Sequence, residues 1–186
     1  MIPPVVSSDT LALDDGEAVG LRVEGARHAG ESFSGARLVD VELMRCDLSG
    51  CDFSESVWRS VRLVDCRLSA IELTQAKLRD VTFTACRLDD ANFRMSTFTR
   101  TQFEECDLQG AEIQSAELET VLFPRCDLRR ADLSQVRAKD VDLRGARLDA
   151  VKGIGSLRGA TIDVEQCVAL APALADALGI RVRDDA

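Results

Sequence analysis

The 186-residue sequence contains no tyrosine, one tryptophan and one histidine. General acid–base catalysis depends most often on histidine, so the chain is poorly supplied with the side chains of a catalytic site. It also contains no apolar run close to the ~20 residues that a membrane span requires. The sequence therefore disfavours an enzyme and predicts that the protein has no membrane segment.

The first ten residues, MIPPVVSSDT, have neither a basic segment nor an apolar core, so we expect no secretory signal. The chain has seven cysteines, an odd number that does not suit a framework of disulfides. Reduced thiols are typical of cytoplasmic proteins. The expected location is therefore the cytoplasm.

The formal net charge of the chain is −9 at pH 7. Binding to nucleic acid requires a basic surface that neutralises phosphates, so this charge argues against direct contact with nucleic acid. An acidic surface remains suited to a basic protein partner, including a partner whose natural ligand is DNA.

A five-residue repeat dominates the sequence. Every fifth residue from Phe33 to Leu148 is Leu, Ile or Phe at 22 of 24 positions. The column two residues earlier, from Glu31 to Ala146, is Ala, Cys, Val, Ser or Thr at 22 of 24 positions. The other positions are mostly polar or charged. This period fits neither the 3.6 residues of a helical turn nor the two-residue period of a strand.

A chain that turns a corner every five residues explains the repeat, because both apolar positions of each unit then point inward. Four corners, and therefore four repeat units, close one coil, and successive coils stack through parallel β-bridges ~4.8 Å apart. Each coil of such a solenoid buries its apolar surface only against its neighbours.

Several of the units carry a family resemblance. CDLSG (46–50), CDFSE (51–55) and ADLSQ (131–135) resemble the A-(D/N)-L-x-x motif of pentapeptide repeat proteins. The resemblance covers about residues 21–150, and it implies an all-β solenoid, a right-handed quadrilateral β-helix of about six coils. Some members of this family are DNA mimics that bind DNA gyrase or topoisomerase IV and protect against quinolones or other topoisomerase poisons.

The two ends of the chain depart from the repeat. Residues 1–20 are expected to form an N-terminal cap, and residues 151–186 a C-terminal helical cap, because a solenoid must cover its terminal coils. Asp163 with Gln166 three residues later is typical of a helix N-terminus. Pro172 suits the first turn of a second short helix, and Gly179 suits its end.

An apolar seam runs along this C-terminal segment at i, i+4 and i+8, formed by Leu170, Leu174 and Leu178. One interpretation is that the seam covers the last coil. The other is a two-fold contact between two chains, and the two interpretations are compatible. Because several pentapeptide repeat proteins pair through C-terminal elements, the resemblance implies a homodimer through this segment.

The cysteines predict no chemistry. Five of them recur at every fourth unit of the repeat and so form one inward column, in which cysteine acts as a small apolar side chain. There is no C-x₂₋₄-C pair of the kind that zinc sites use, and nothing around His28 forms a catalytic constellation. We therefore expect no catalytic residues, no metal site and no cofactor. The column consists of Cys46, Cys66, Cys86, Cys106 and Cys126.

The repeat register sorts the outward charges by side of the coil. The Phe33 face, whose inward residues are Phe33, Phe53, Leu73, Phe93, Ile113 and Leu133, has a net charge of −4 when its outward positions from Phe33 to Ala150 are counted. The Leu38 face, which follows it along the chain, has five acids and seven bases. The acids of the Phe33 face, opposed by Arg94 alone, are Asp52, Glu55, Glu72, Glu112 and Asp132.

Two functions follow as hypotheses. In the first, the acidic Phe33 face binds a type II topoisomerase, above all DNA gyrase, and the protein gives tolerance to topoisomerase poisons. In the second, the acids only keep a β-rod solvated, and the protein is a structural or scaffold module for another protein partner.

Overall fold

A parallel β-helix of about seven turns, followed by one α-helix, makes up the described part of the chain. The structure is a computed structural model that describes residues 6–8 and 10–183. Each turn has four sides, and the large apolar residue of every five-residue unit points into the centre. This confirms the predicted fold class of a pentapeptide-repeat solenoid.

Two neighbouring sides of the coil carry the strands. The Leu43 face is the side whose inward residues include Leu43 and Leu63. Strands on the Leu38 face are β2 (Glu17–Val19), β4 (Arg37–Val39), β6 (Val57–Arg59) and β8 (Lys77–Arg79). Strands on the Leu43 face are β1 (Val6–Ser8), β3 (Leu21–Glu24), β5 (Glu42–Met44), β7 (Arg62–Val64), β9 (Thr82–Thr84) and β13 (Ala160–Thr161). Three longer strands turn the corner between these faces: β10 (Thr97–Glu104), β11 (Glu117–Leu122) and β12 (Arg137–Asp142).

The other two sides are held by single parallel bridges. On the Phe33 face, for example, Asp52 pairs with Glu72. On the fourth side, the Leu48 face, Asp47 pairs with Arg67. These partners are four repeat units apart, as are the strand partners between β4 and β12, so one coil contains four units as predicted.

The ends add coil segments that the five-residue period did not reveal. In the pairing of β1 with β3, Ser8 lies opposite Val23, which is one repeat unit short of a full coil. In the pairing of β13 with β12, Ala160 lies opposite Val141, which is a single residue short of a full coil. The β-helix therefore has about seven turns where the repeat alone predicted about six.

Each corner is made by a residue with a left-handed backbone. Such residues recur every five positions, as at Asp40 (φ 54°), Glu55 (φ 59°) and Thr120 (φ 56°). Non-glycine residues seldom adopt this conformation, because the Cβ atom crowds the backbone. Hydrogen bonds between coils hold it here: the amide of Glu55 donates to the carbonyl of Thr74 at 2.9 Å.

Aromatic rings stack along the core. Phe83, Phe103 and Phe123 lie in successive coils with parallel rings, at centroid distances of 4.7 and 5.1 Å. Trp58 is fully buried and meets Phe53 edge to face at 5.2 Å. Trp58 therefore fills a core position that Leu, Ile or Phe occupies in most other units.

The C-terminal cap closes the last coil with side chains. It consists of a 3₁₀ turn (Ile154–Ser156) and α1 (Val164–Ala177). Asp163 and Gln166 form the predicted capping box at the start of α1. The buried Gln166 side chain also donates to the carbonyls of Leu143 and Ala146, at 2.6 and 2.7 Å. These are carbonyls of the last coil, which has no further coil to bond.

Asp163 also bonds the edge of the last coil. Its carboxylate accepts the amide of Gln166 at 2.8 Å and the amide of Gly145 at 3.0 Å. These two donors hold the pKa of Asp163 below its usual range. The bonds therefore stabilise the fold above the unfolded-state pKa of Asp, and this contribution is lost as the pH falls through the lower folded-state pKa.

The prediction of a second helix beginning at Pro172 is wrong, because α1 continues through that residue. Leu170 is buried and Leu174 packs partly buried against the core, so packing on both sides of the proline keeps the helix intact. Gly179 (φ 73°) ends the helix as predicted. No helix in the described part of the chain has the length and apolar character that a membrane crossing demands.

At the other end, His28 fixes the segment that precedes the first regular coil. Its Nε2 atom accepts the amide of Leu11 at 2.9 Å, and its Nδ1 atom lies 2.9 Å from a carboxylate oxygen of Glu31. Leu11 is buried beneath this contact. The single histidine therefore has a structural role.

Replacing Gln166 by leucine tests the cap. The variant keeps the size of the side chain but leaves the carbonyl of Ala146 without its Gln166 donor, while the carbonyl of Leu143 keeps only the amide of Ala146. We therefore expect a loss of about 1–3 kcal/mol in the free energy of unfolding. Urea unfolding measures this loss, and faster hydrogen exchange at Gly145 would place it at the cap. Glu165→Leu, an exposed change one residue earlier, is the control and should cost less than about 0.5 kcal/mol. Equal losses would contradict this role of Gln166.

Candidate protein-binding surface

The Phe33 face carries a straight column of polar side chains. Each of these residues occupies the position just before an inward apolar residue, and its backbone forms a β-bridge with its counterpart one coil away. Neighbours in such a ladder are ~4.8 Å apart. The structure thus brings together four of the five acids that the sequence indicated. We name these residues the acidic column; in order they are Asp52, Glu72, Asn92, Glu112 and Asp132.

Hydrogen bonds fix the carboxylates of the acidic column. Asp52 accepts the amide of Ser54 at 2.9 Å, and Asp132 accepts the amide of Ser134 at 2.9 Å. The Asn92 side chain donates to Glu72 at 2.7 Å. The acids therefore point outward in defined positions.

Both aspartates of the column remain ionised well into acid. Hydrogen bonds from Ser54 hold the pKa of Asp52 below its usual range. Burial alone would raise the pKa of Asp132, but hydrogen bonds from Ser134 and Gln114 and the charge of Lys152 lower it below its usual range. The column is therefore a fixed array of negative charge at neutral pH.

Two bases reduce that charge. Arg94 forms an ion pair with Glu112 at 3.0 Å, on side chains that are nearly half exposed. Lys152 is the backbone β-bridge partner of Asp132, so its positive charge lies at the end of the column. Lys152 lies after residue 150, where the regular repeat stops, so counting charges within the repeat missed it.

Glu55 lies apart from the acidic column. It occupies the corner between the Phe33 and Leu38 faces, three residues after Asp52, the residue of that unit that belongs to the ladder. Glu55 is exposed, whereas Asp52 and Glu72 are half-buried. It therefore borders the surface instead of belonging to the row.

The C-terminal leucines divide between two environments. Leu170 and Leu174 face the last coil, as the capping interpretation expects. Leu178 follows the end of α1 and is 76% exposed. The three leucines are therefore not one continuous contact surface.

A different apolar stripe lies on the outer side of α1. Val164 and Val168 are 81% and 72% exposed, and Ala171 is exposed as well. Together with Ala175 and Leu178 these residues are spaced 4, 3, 4 and 3 residues apart, which is the spacing of a helix–helix contact. We name this set the outer stripe. The sequence contains this spacing, but the more strongly apolar seam of Leu170, Leu174 and Leu178 indicated a different side of the helix.

The cysteine column is buried, as predicted. Each thiol lies near backbone carbonyls, as where Cys66 is 3.4 Å from the carbonyl of Leu43. Burial raises the pKa of the neighbouring Cys51, so that thiol resists ionisation. In residues 10–183, no three His, Cys, Asp or Glu side chains are placed to hold a metal ion. Cys167 is exposed on α1.

Comparison with known proteins gives one family and several matching solved structures. The sequence model described as "Pentapeptide repeat region" matches residues 36–113 and 78–152. No curated protein matches the chain. Among solved structures, QnrB1, a plasmid-mediated fluoroquinolone resistance protein, is 19% identical over 97% of this chain and 98% of its own, with a TM-score of 0.48. HetL, from the cyanobacterium Nostoc sp. strain PCC 7120, is 18% identical over 76% of this chain and 87% of its own, with a TM-score of 0.26.

Thiol labelling of the native protein tests the placement of the cysteines. A thiol reagent should modify Cys167 rapidly and leave the six buried cysteines unmodified until the protein is unfolded. Mass spectrometry counts the labels before and after urea. A Cys167→Ser variant is the control and should show no rapid label. Rapid labelling of Cys86 or Cys106 in folded protein would contradict a closed core.

Proposed function

The chain belongs to the pentapeptide repeat family, and we propose that it is a non-enzymatic protein that binds a type II topoisomerase, DNA gyrase or topoisomerase IV. In this role it occupies the DNA-binding surface of the enzyme and gives tolerance to quinolone-type or other topoisomerase poisons. Topoisomerases act on DNA in the cytoplasm, and six buried free thiols suit that reducing compartment.

The observation that carries this proposal is the acidic column. Its carboxylates lie on a straight line along the rod, one per coil except at Asn92. The spacing of ~4.8 Å between coils is comparable to the 3.4 Å rise between phosphates of a DNA strand. A basic groove that tracks a DNA backbone would therefore meet regularly placed negative charges.

The charge of the Phe33 face is much lower than that of DNA. Six coils span ~29 Å, and duplex DNA of that length carries on the order of 17 charges. The face carries five carboxylates, and Arg94 and Lys152 offset part of them. The shape of the rod must therefore contribute to binding together with its charge.

We further propose that two chains pair through the outer stripe of α1. Its exposed apolar residues have no cover within the described part of the chain, and the small side chains of Ala171 and Ala175 let two helices approach closely. A two-fold contact there joins two rods at their C-terminal ends. The acidic surface would then extend over both chains.

Charge reversal in the acidic column tests the topoisomerase proposal. Wild-type protein at micromolar concentration should inhibit gyrase supercoiling or reduce quinolone-stabilised DNA cleavage. Glu72→Lys combined with Glu112→Lys should weaken this effect at least about tenfold, because like charges then face each other across the interface. Supercoiling and cleavage assays on agarose gels measure both effects.

The matched control is Glu42→Lys combined with Glu104→Lys on the Leu43 face, on the other side of the rod. This variant has the same net charge and should retain the wild-type effect. If wild-type protein has no effect with or without the quinolone, the topoisomerase proposal is wrong and the scaffold role is favoured. Equal losses in the two double variants would show that the acidic column is not the contact.

Substitution on the outer stripe tests the dimer. Val168→Glu places a charge in the apolar contact and should convert a dimer into a monomer, as measured by light scattering during gel filtration. Ala173→Glu, at an exposed position on the side of α1 opposite the stripe, is the control and should remain dimeric. Wild-type protein that is monomeric at high concentration would contradict this proposal.

A further inference from the structure

The bases of the two strand-bearing faces follow a common rule of pairing. On the Leu43 face, each of the five bases from Arg22 to Arg144 has an acidic oxygen within 4.0 Å. On the Leu38 face, four bases do so with an acid one coil away. These four pairs are Arg37–Glu17, Arg100–Asp80, Arg137–Glu117 and Lys139–Glu119.

Three bases on the Leu38 face break this rule. Arg59, Lys77 and Arg79 are exposed and have no ion pair within the described residues. Arg59 and Arg79 are direct partners in the ladder between β6 and β8. Like charges directly opposite each other destabilise a sheet. We name these three residues the basic patch.

The acid that follows Arg79 is already engaged. Asp80 feels the charges of Arg79 and Arg59, which contribute to its lowered pKa after the larger effect of Arg100. However, its two carboxylate oxygens accept hydrogen bonds from Arg100 at 2.6 and 2.7 Å. Asp80 therefore forms its ion pair with Arg100 and is not an ion-pair partner of the basic patch.

The basic patch lines a shallow groove that runs along the rod. Val57, Lys77 and Thr97 form one wall, Arg59, Arg79 and Thr99 the other, and Trp58 and Leu78 lie along its floor. The groove has a volume of about 370 Å³ and is open to solvent.

The same groove continues past Thr97 and Thr99 into the next coils, but its charges there are satisfied. Glu117 pairs with Arg137 along one wall, and Glu119 pairs with Lys139 along the other. Only the first part of the groove therefore presents uncompensated positive charge, flanked by two threonine hydroxyls.

We propose that the basic patch binds an acidic segment of the same protein partner that the acidic column binds. This inference rests on the proposed function and extends it to the neighbouring face. Glu72 and Lys77 are one repeat unit apart and lie on either side of one corner. A partner that wraps around this corner meets negative charge on one side and positive charge on the other.

A protein fits this arrangement better than a nucleic acid. A DNA or RNA strand is negative along its whole length, so the acidic column beside the patch and the net charge of −9 would repel it. A protein can present a basic surface and an acidic segment together. An extended acidic segment in the groove would give each of the three bases a carboxylate.

Binding measurements with variants of the groove test the inference. The variant Lys77→Gln with Arg79→Gln removes two charges from the basic patch. The control variant Arg137→Gln with Lys139→Gln removes two charges from the same walls of the groove, where acids already pair them. Both are titrated against purified DNA gyrase, a fluorescent deca-glutamate peptide and a short fluorescent DNA duplex, at low and high salt.

We expect the patch variant to bind gyrase at least about fivefold more weakly than wild type, and the control variant to bind within about twofold of it. The deca-glutamate peptide should bind wild type at low salt and lose this binding in the patch variant. The DNA duplex should not bind.

The outcomes separate this inference from the proposed function. If wild type and the patch variant bind gyrase equally, the inference is overturned and the topoisomerase proposal stands. If wild type does not bind gyrase, the topoisomerase proposal fails and the deca-glutamate peptide tests the inference. Peptide binding that depends on Lys77 and Arg79 supports an acidic protein ligand for the basic patch. No peptide binding overturns the inference. Binding of DNA through the patch also overturns it.

Discussion

Stacking of each residue on the residue one coil away is the constraint on which this structure depends. The amide of Phe53 donates to the carbonyl of Glu72 at 2.7 Å, and the amide of Arg67 donates to the carbonyl of Cys46 at 2.9 Å. Repeated along the chain, such bonds fix the register of every coil. Because the register is fixed, every side chain belongs to a column, whether it points into the core or toward solvent.

The columns explain why the core and the surface obey different rules. Inside, identical neighbours are favourable, as in the parallel rings of Phe83, Phe103 and Phe123. Outside, identical charges that stack one coil apart repel each other, so opposite signs are favoured there. The acidic column and the basic patch depart from this preference on two adjacent faces, and the bridged pairs Arg67–Arg87 and Asp107–Asp127 do so on the Leu48 face. Such rows of like charge do not stabilise the fold. A binding partner that neutralises their charge would explain why they are present.

The five-residue period made the coil, its inward columns and the sign of each face predictable from sequence. The period could not predict features that lie beyond the last regular unit, nor which charged side chains come close enough to form ion pairs. Lys152 joins the acidic column from outside the regular repeat. Pro172 was expected to start a helix, because propensity alone cannot include the packing of Leu170 and Leu174 on the last coil. Which bases remain unpaired, such as Arg59, depends on which acids Arg100 and its neighbours engage.

Opposite charges on either side of one corner give the rod an orientation that a uniform acidic face would lack. An acidic rod alone can slide or turn over on a basic groove, because each coil resembles the next. The basic patch occupies only the coil of Arg59 and the next coil, of Lys77 and Arg79, and the charges of the groove beyond it are neutralised by ion pairs. A partner that matches both signs is therefore fixed in its position along the rod and in its direction. Weak individual contacts between exposed charges can thus yield a specific complex, since only one register satisfies them together.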